Sequence, residues 1–302
     1  MPTNQEIISN AARQGLVVPS FNVPYLPMVE PIVRAVVDTD SFAFIATARL
    51  EWHKYEAKGL RPVFDAFQKW NRPEYVALHL DHVPVIDEDN LRVDYLSILK
   101  EALEMGYRSV MIDGSRLPFA ENIAATREAV SLAHEYGAAC EAELGAVMGH
   151  ESGPMPPYEE IFASGKGFTD VEEARRFASE TGCDWLSVAI GNVHGAVSEA
   201  TRHQKKIEAR LDIAHLVKLR EATGLPLVLH GGSGVQRPYV LEAIQNGIAK
   251  INVCTEIRQP YEMALAKTND LAKAQEACYV RTQWVIADYF GMTGARSKLL
   301  KS

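Results

Sequence analysis

Three histidines, His82, His194 and His230, stand at the ends of three different apolar runs. Three imidazoles gathered around one point can hold a divalent ion and leave a coordination position open for substrate, and zinc suits that donor set first. A lone histidine is ordinarily a hydrogen-bonded structural residue, so the argument rests on three of them at equivalent places. Other polar residues fall where short apolar runs stop: Asn22, Asp81, Asp113 with Ser115, Glu141, Glu143 and Asn252. His79 shares strand parity with Asp81, and spacing alone does not choose between it and His82 as a ligand. The remaining histidines, at 53, 134, 150, 203 and 215, lie in helical or loop patterns and receive no metal role.

Such residues act together only if a scaffold brings the ends of distant segments to one place. Short runs at 17–23, 42–48, 75–82, 109–115, 138–145, 184–190, 226–232 and 248–255 read as strands. Most are apolar throughout, as expected of a parallel sheet covered by helices. The segments between them have helical spacing, as in Leu96, Leu99 and Leu103, or Val171, Ala174, Phe177 and Ala178. Thr169 followed by Glu172 reads as a capping box, and Pro238 and Gly247 bracket a short helix at 240–246. Eight alternations favour an α/β fold of the (β/α)8 TIM-barrel type, although pattern alone leaves an open doubly wound sheet available. Residues from about 257 onward are expected to form additional C-terminal helices, and with no linker-like stretch, 1–302 reads as a single domain. Barrel enzymes assemble their sites at the C-terminal ends of the strands, where these polar residues collect.

Composition sets the outer bounds. At 302 residues, 47% hydrophobic and 23% charged, the chain is long and apolar enough for a large core. A net charge of −8 from scattered acids argues against a broad nucleic-acid or anionic-membrane surface, while small phosphate sites remain compatible with it. The first residues lack a basic region followed by an apolar core, and no run reaches the roughly 18 apolar residues of a membrane span, so the expected location is cytoplasmic. The four cysteines, Cys140, Cys183, Cys254 and Cys278, are widely spaced and read as reduced thiols.

Two small-residue elements follow the last runs: Gly231, Gly232, Ser233 and Gly234, then Asn252, Val253, Cys254 and Thr255. Loops in these positions bind phosphate because small residues let backbone N–H groups approach the anion. Between Gly145 and Gly167 lies a glycine- and proline-rich stretch without apolar period, which reads as a mobile lid carrying Glu151. A lid carboxylate can deliver a base as the site closes.

The stretches ALHLDH (77–82), CEAELGAVMGHE (140–151), SFNV (20–23), MIDGS (111–115), FTDVEEARRF (168–177), AIGNVHG (189–195), LHGGSG (229–234) and KINVCTE (250–256) resemble, in order, the class II fructose-bisphosphate and tagatose-bisphosphate aldolase family. The resemblance implies a zinc-dependent aldolase with His82, His194 and His230 as ligands, and so favours His82 over His79. It implies Asp81 as the acid toward the aldehyde-derived oxygen and Glu151 as the residue that moves the ketone fragment's proton. Asp113 and Glu143 match an alternative or second metal position, and a monovalent cation is a further family feature. Gly195, Gly231 to Ser233 and Asn252 to Thr255 match the segments that bind dihydroxyacetone phosphate, and Asn22 joins them on the substrate side. Family members are commonly dimers or tetramers, so the resemblance implies a homodimer or homotetramer.

Three departures stand out. Ala196, Val197 and Ser198 replace the aromatic residue and lysine that usually follow the glycine after His194. The second strand ends ATARLEW (46–52) where a Gln-x-Ser stretch is usual, making Arg49 an unusual substrate contact. Val83 and Pro84 replace a small residue after His82, so a different local turn is expected. The implied reaction is reversible aldol cleavage of a sugar-phosphate-like ketose. A metal ion stabilises the negative charge on the ketone fragment, and Asp81 handles the hydroxyl proton. Rival readings are a Schiff-base aldolase using Lys250, a metal-dependent hydrolase on the same barrel, and a non-catalytic or assembly subunit that has kept the fold.

Overall fold

A computed structural model describes residues 1–87, 89–145, 158–192, 209–232 and 234–301. Eight strands alternate with helices: β1 (Val18–Asn22), β2 (Ala43–Ala48), β3 (Val76–Pro84), β4 (Ser109–Asp113), β5 (Ala139–Leu144), β6 (Trp185–Val188), β7 (Leu227–Leu229) and β8 (Ile248–Val253). All neighbours are parallel, and β1 pairs with β8 to close the barrel. The (β/α)8 expectation holds, and every strand lies within or next to its expected run. Six of the eight strands are buried along their whole length; β3 mixes buried with partly exposed positions, and β4 ends on the partly exposed Asp113. That is the environment their apolar composition requires.

The helices among the described residues are α1 (Asn4–Gln14), α2 (Val29–Asp38), α3 (Arg49–Lys54), α4 (Leu60–Trp70), α5 (Tyr95–Met105), α6 (Phe119–Glu135), α7 (Tyr158–Ser164), α8 (Val171–Thr181), α9 (Ile213–Thr223), α10 (Arg237–Gln245), α11 (Thr255–Thr268), α12 (Leu271–Trp284) and α13 (Arg296–Leu299). Helix α1 lies against the N-terminal end of the barrel, where Asn4 donates to Ser109 at 3.0 Å. The C-terminal extension returns to it, with Asn10 donating to the Leu299 carbonyl at 3.0 Å. No helix among the described residues is long and apolar enough to cross a membrane.

Proline at the start of α10 and Gly247 just beyond its end behave as expected, with Gly247 at φ +114°. The capping box at Thr169 does not form. Asp170 is the N-cap of α8, accepting from the Glu173 amide at 2.9 Å, while Thr169 is buried. Its hydroxyl donates to the Leu144 carbonyl at 2.6 Å and accepts from the Ala189 amide at 2.9 Å, so it ties the ends of β5 and β6 together. Part of the stretch read as a lid is helical: α7 is anchored where the Tyr158 hydroxyl meets the Gly191 carbonyl at 3.0 Å and accepts from the Arg210 amide at 2.6 Å.

Candidate metal and acid–base site

Successive residues of a strand point to opposite faces, yet Asp81 and His82 both reach the mouth of the barrel. The register between β3 and β4 explains this. Leu80 pairs with Val110 and Val83 with Ile112, three steps on one strand against two on the other. This is a β-bulge, which re-aims a side chain, and His82 takes up the extra residue at φ +39°. Non-glycine residues rarely adopt this backbone, and such positions cluster at functional sites. The altered turn expected from Val83 and Pro84 is therefore a bulge that continues as strand. His79 lies one layer deeper, fully buried, with Nδ1 3.0 Å from the Ser109 hydroxyl and Nε2 3.8 Å from Asp81. Burial and the Lys250 ammonium push its pKa down to about 3, despite the nearby carboxylates of Glu141 and Asp81.

His82 and His230 converge, with His82 Nε2 2.6 Å from His230 Nδ1. The other nitrogen of each ring faces a carboxylate. His230 Nε2 donates to Glu141 Oε1 at 2.8 Å, and His82 Nδ1 lies 3.5 Å from Asp113 Oδ2. Carboxylates behind imidazoles fix the tautomer and turn the free lone pair outward, as they do behind metal-bound histidines. At this distance the two nitrogens must share a proton or another cation, since two bare lone pairs would repel. Burial opposes a charge on His82, but Asp81, Asp113 and Glu143 raise its pKa to about 10. Burial and a charged His82 in turn lower that of His230.

Glu143 is 3% exposed, and its Oε2 has no hydrogen-bond partner among the described residues. That oxygen lies 3.6 Å from His230 Nδ1 and 3.9 Å from His82 Nδ1. Burial and the Asp113 anion hold this carboxyl well above its ordinary pKa, whereas Asp113, although desolvation opposes its charge, is held down to about 2 by His82 and Ser115. Ligand atoms of Asp81, His82 and His230 lie within 4.8 Å of one another, as do those of His82, Asp113 and Glu143. An unsatisfied buried carboxylate oxygen beside two converging imidazoles is a donor set that fits a divalent ion.

Asp81 is 1% exposed, and each of its oxygens accepts a 2.8 Å hydrogen bond, Oδ2 from Asn22 and Oδ1 from Asn252. Burial disfavours its charge, but His82, Lys250 and His230 outweigh that and hold it far below the usual carboxylate range. Lys250 is buried, with Nζ 2.8 Å from Glu141 Oε2 and donating to Asn252 Oδ1 at 2.6 Å. An ammonium fixed in this way is not the accessible amine that a Schiff base requires; its contacts orient Asn252 and, through it, Asp81. Glu141 is the hub below the site, and its Oε2 also accepts from Trp185 Nε1 at 2.5 Å. Its role was not apparent from the sequence, where it looked like one more carboxylate of strand five.

Glu51 is a second residue that sequence reasoning passed over. It sits in the first turn of α3, 4% exposed, and its Oε2 accepts from the Ala48 amide at 2.9 Å. Its Oε1 is 3.8 Å from Cys254 Sγ, and Asn22 lies beside it. Burial, with a smaller push from Asp81, raises its pKa to about 8 against the hydrogen bonds from Ala48 and Asn22. Arg49, the expected contact in this segment, pairs instead with Asp87, Nη2 to Oδ2 at 3.0 Å, and its Nη1 is 2.7 Å from His53 Nε2. The odd sequence ATARLEW thus carries a second polar residue, Glu51, beside the Arg49 that its charge singles out.

Of the expected phosphate-binding residues, Gly231 has φ +62°, and a Cβ on Gly232 would sit 2.9 Å from Ile251 Cγ2. Val253 ends β8, Cys254 caps α11, and Thr255 begins it, so this segment leads into a helix N-terminus, where anions are favoured. Glu151, His194, Gly195 and Ser233 lie outside the described residues.

A family model described as fructose-bisphosphate aldolase class-II matches residues 3–298. Among solved structures, the YdjI aldolase from Escherichia coli K12 is similar with a TM-score of 0.74 and 27% identity, over 98% of this chain and 99% of that one. The fructose-bisphosphate aldolase from Campylobacter jejuni has a TM-score of 0.73 at 17% identity, over 97% and 96% of the two chains, which is a likeness of fold.

Proposed function

The chain belongs to the class II fructose-bisphosphate aldolase family, and from that premise we propose that it cleaves a ketose phosphate reversibly into dihydroxyacetone phosphate, or a similar ketone, and an aldehyde. The observation that carries this reading is the cluster at the barrel mouth, where the imidazoles of His82 and His230 converge beside the amide-held carboxylate of Asp81. In this reading His82, His230 and His194 hold a zinc ion, with Asp113 and Glu143 as an alternative position. A bound ion supplies Lewis-acid stabilisation of the negative charge that develops on the ketone fragment.

Asp81, as a carboxylate, takes the proton of the hydroxyl that becomes the aldehyde, and returns it in the condensation direction. Asn22 and Asn252 keep its oxygens fixed, so little reorganisation is needed when that proton moves. Glu151 exchanges the carbon-bound proton of the ketone fragment. Gly195, Gly231, Gly232, Ser233 and the segment from Asn252 to Thr255 bind its phosphate end, while Arg49 lies toward the aldehyde half. The reading includes a single domain over 1–302, a cytoplasmic location and a homodimer or homotetramer.

The deciding experiment is a retro-aldol screen of ketose mono- and bisphosphates with added zinc, identifying both fragments by mass spectrometry. Two carbonyl fragments and inhibition by a chelator are expected. Borohydride trapping of substrate on the protein, or hydrolysis in place of carbon–carbon cleavage, would refute the proposal.

A further inference from the structure

The acid–base residue of a carbon–carbon lyase must be aimed as well as charged, since a misplacement of about 1 Å can cost roughly 100-fold in rate. Asp81 is aimed by two amides that are supported differently. Asn252 is fixed from behind, its Oδ1 held by the buried Lys250 ammonium at 2.6 Å. Asn22 ends β1 and is 5% exposed; beside its amide stands Glu51, reaching in from the first turn of α3.

Glu51 is itself braced. One oxygen is taken by the Ala48 amide, closing the helix start, and the other faces Cys254 Sγ at the end of β8. One carboxyl thus links the ends of β1, β2 and β8 next to the β3 residue they surround. Arg49, two residues earlier, is turned away to Asp87 and His53, so from this segment Glu51 is the group that reaches the Asp81 side of the mouth.

We propose that Glu51 is a positioning residue for the hydroxyl proton transfer, bracing Asn22 so that the Asn22 amide holds Asp81 toward the substrate hydroxyl. This rests on the aldolase reading above. Burial raises the Glu51 pKa to about 8, which favours the neutral acid over a second anion beside Asp81. The Asn22 amide group carries two N–H bonds, so it can give one to Asp81 and turn the other toward Glu51.

The test separates the two proton transfers, because only one runs through Asp81. Zinc-loaded wild type, E51A, E51Q and N22A are compared for cleavage of the best ketose phosphate from the screen. They are also compared for solvent deuterium exchange into dihydroxyacetone phosphate, which does not need the hydroxyl proton transfer. E51A is expected to lower kcat for cleavage about 100-fold, with KM and deuterium exchange within about threefold of wild type. E51Q recovers most of the lost cleavage, because glutamine is isosteric and neutral. The double variant N22A/E51A is no slower than N22A, since both act along one path. Should E51A fail to fold, E51M, which keeps the volume without the polar end, takes its place.

Parallel loss of cleavage and exchange in a folded variant would show a general structural role and overturn the proposal. Unchanged cleavage in E51A, or full additivity with N22A, would do the same. A wild type inert in both assays would overturn the aldolase reading and this proposal with it.

Discussion

Asp81→Asn isolates the proton transfer from the fold, because the hydrogen bonds around residue 81 dictate how the new amide sits. Asn252 cannot turn over without taking its Oδ1 from Lys250, so it continues to present an N–H to residue 81. The carbonyl oxygen of the new amide therefore points to Asn252, and its NH2 group meets Asn22, which can rotate to offer its own oxygen. Two charge-assisted hydrogen bonds become two neutral ones. Hydrogen bonds to charged groups contribute about 1.5–3 kcal/mol against about 1 for neutral ones, and the relieved desolvation of the buried anion offsets part of that difference. A fall in Tm of no more than a few degrees is expected. Catalysis loses its base, which contributes roughly 100- to 10,000-fold. The assay is the rate of carbon–carbon cleavage, with zinc content measured on the same sample. Turnover within about tenfold of wild type would remove Asp81 from the mechanism. Loss of zinc together with activity would show that Asp81 is a ligand, which its place within 4.8 Å of the ligand atoms of His82 and His230 makes a real alternative.

His230→Ala is expected to reduce zinc affinity by more than the roughly 10- to 100-fold typical of outer-shell changes; full occupancy by elemental analysis would refute the ligand assignment. Glu151→Gln keeps zinc but slows proton exchange into the ketone fragment by at least about 100-fold, and wild-type exchange rates would assign that proton to another group. Arg49→Ala costs about 1 kcal/mol or less in stability, because its pairing with Asp87 is partly exposed, and raises KM for substrates with an anionic aldehyde half more than it lowers kcat; unchanged kinetics would place Arg49 outside the substrate site. Glu51 titrates near 8 when folded and near 4.5 otherwise, so between those values the folded state binds the extra proton and stability falls as pH rises. Glu51→Gln removes that slope. Its Tm relative to wild type should rise from pH 5 to 8 and then level off, and a constant difference across the range would mean that Glu51 is not a neutral acid.

The barrel was legible because eight apolar runs with helical spacing between them admit few arrangements, and the collection of polar residues at strand ends pointed to one face. What the sequence did not reveal depends on side chains meeting across strands. Parity put His79 and Asp81 on one face and left His82 on the other; only the one-residue slip between β3 and β4, taken up at the positive φ of His82, brings Asp81 and His82 to the mouth together. Thr169 has the residue type and spacing of a cap, but a buried hydroxyl between two strand ends finds better partners in Leu144 and Ala189. Arg49 draws attention by its charge, and the structure pairs that charge with Asp87 while Glu51, two residues on, turns inward.

Lys250 shows what residue type alone leaves open. A lysine on an inward strand position of an aldolase-like barrel invites a Schiff-base reading, yet this one is fully buried against Glu141. A buried ion pair is weak evidence for stability, since desolvation can outweigh the attraction. Its value here lies in what the two charges orient: Glu141 accepts from His230 Nε2 and so sets which nitrogen faces the metal position, while Lys250 fixes the Asn252 amide against Asp81. One pair therefore governs both the Lewis-acid side and the proton-transfer side of the site. Replacing either partner alone leaves an uncompensated buried charge, so the informative variant is the double replacement Lys250→Met with Glu141→Gln, which removes both charges together. That protein is expected to fold, with zinc affinity lowered by roughly 10- to 100-fold as His230 loses its carboxylate. With saturating zinc its cleavage should remain impaired, because Asn252 has lost its anchor. Full recovery of cleavage at saturating zinc would show that Lys250 does nothing for Asp81 and serves only to balance the charge of Glu141.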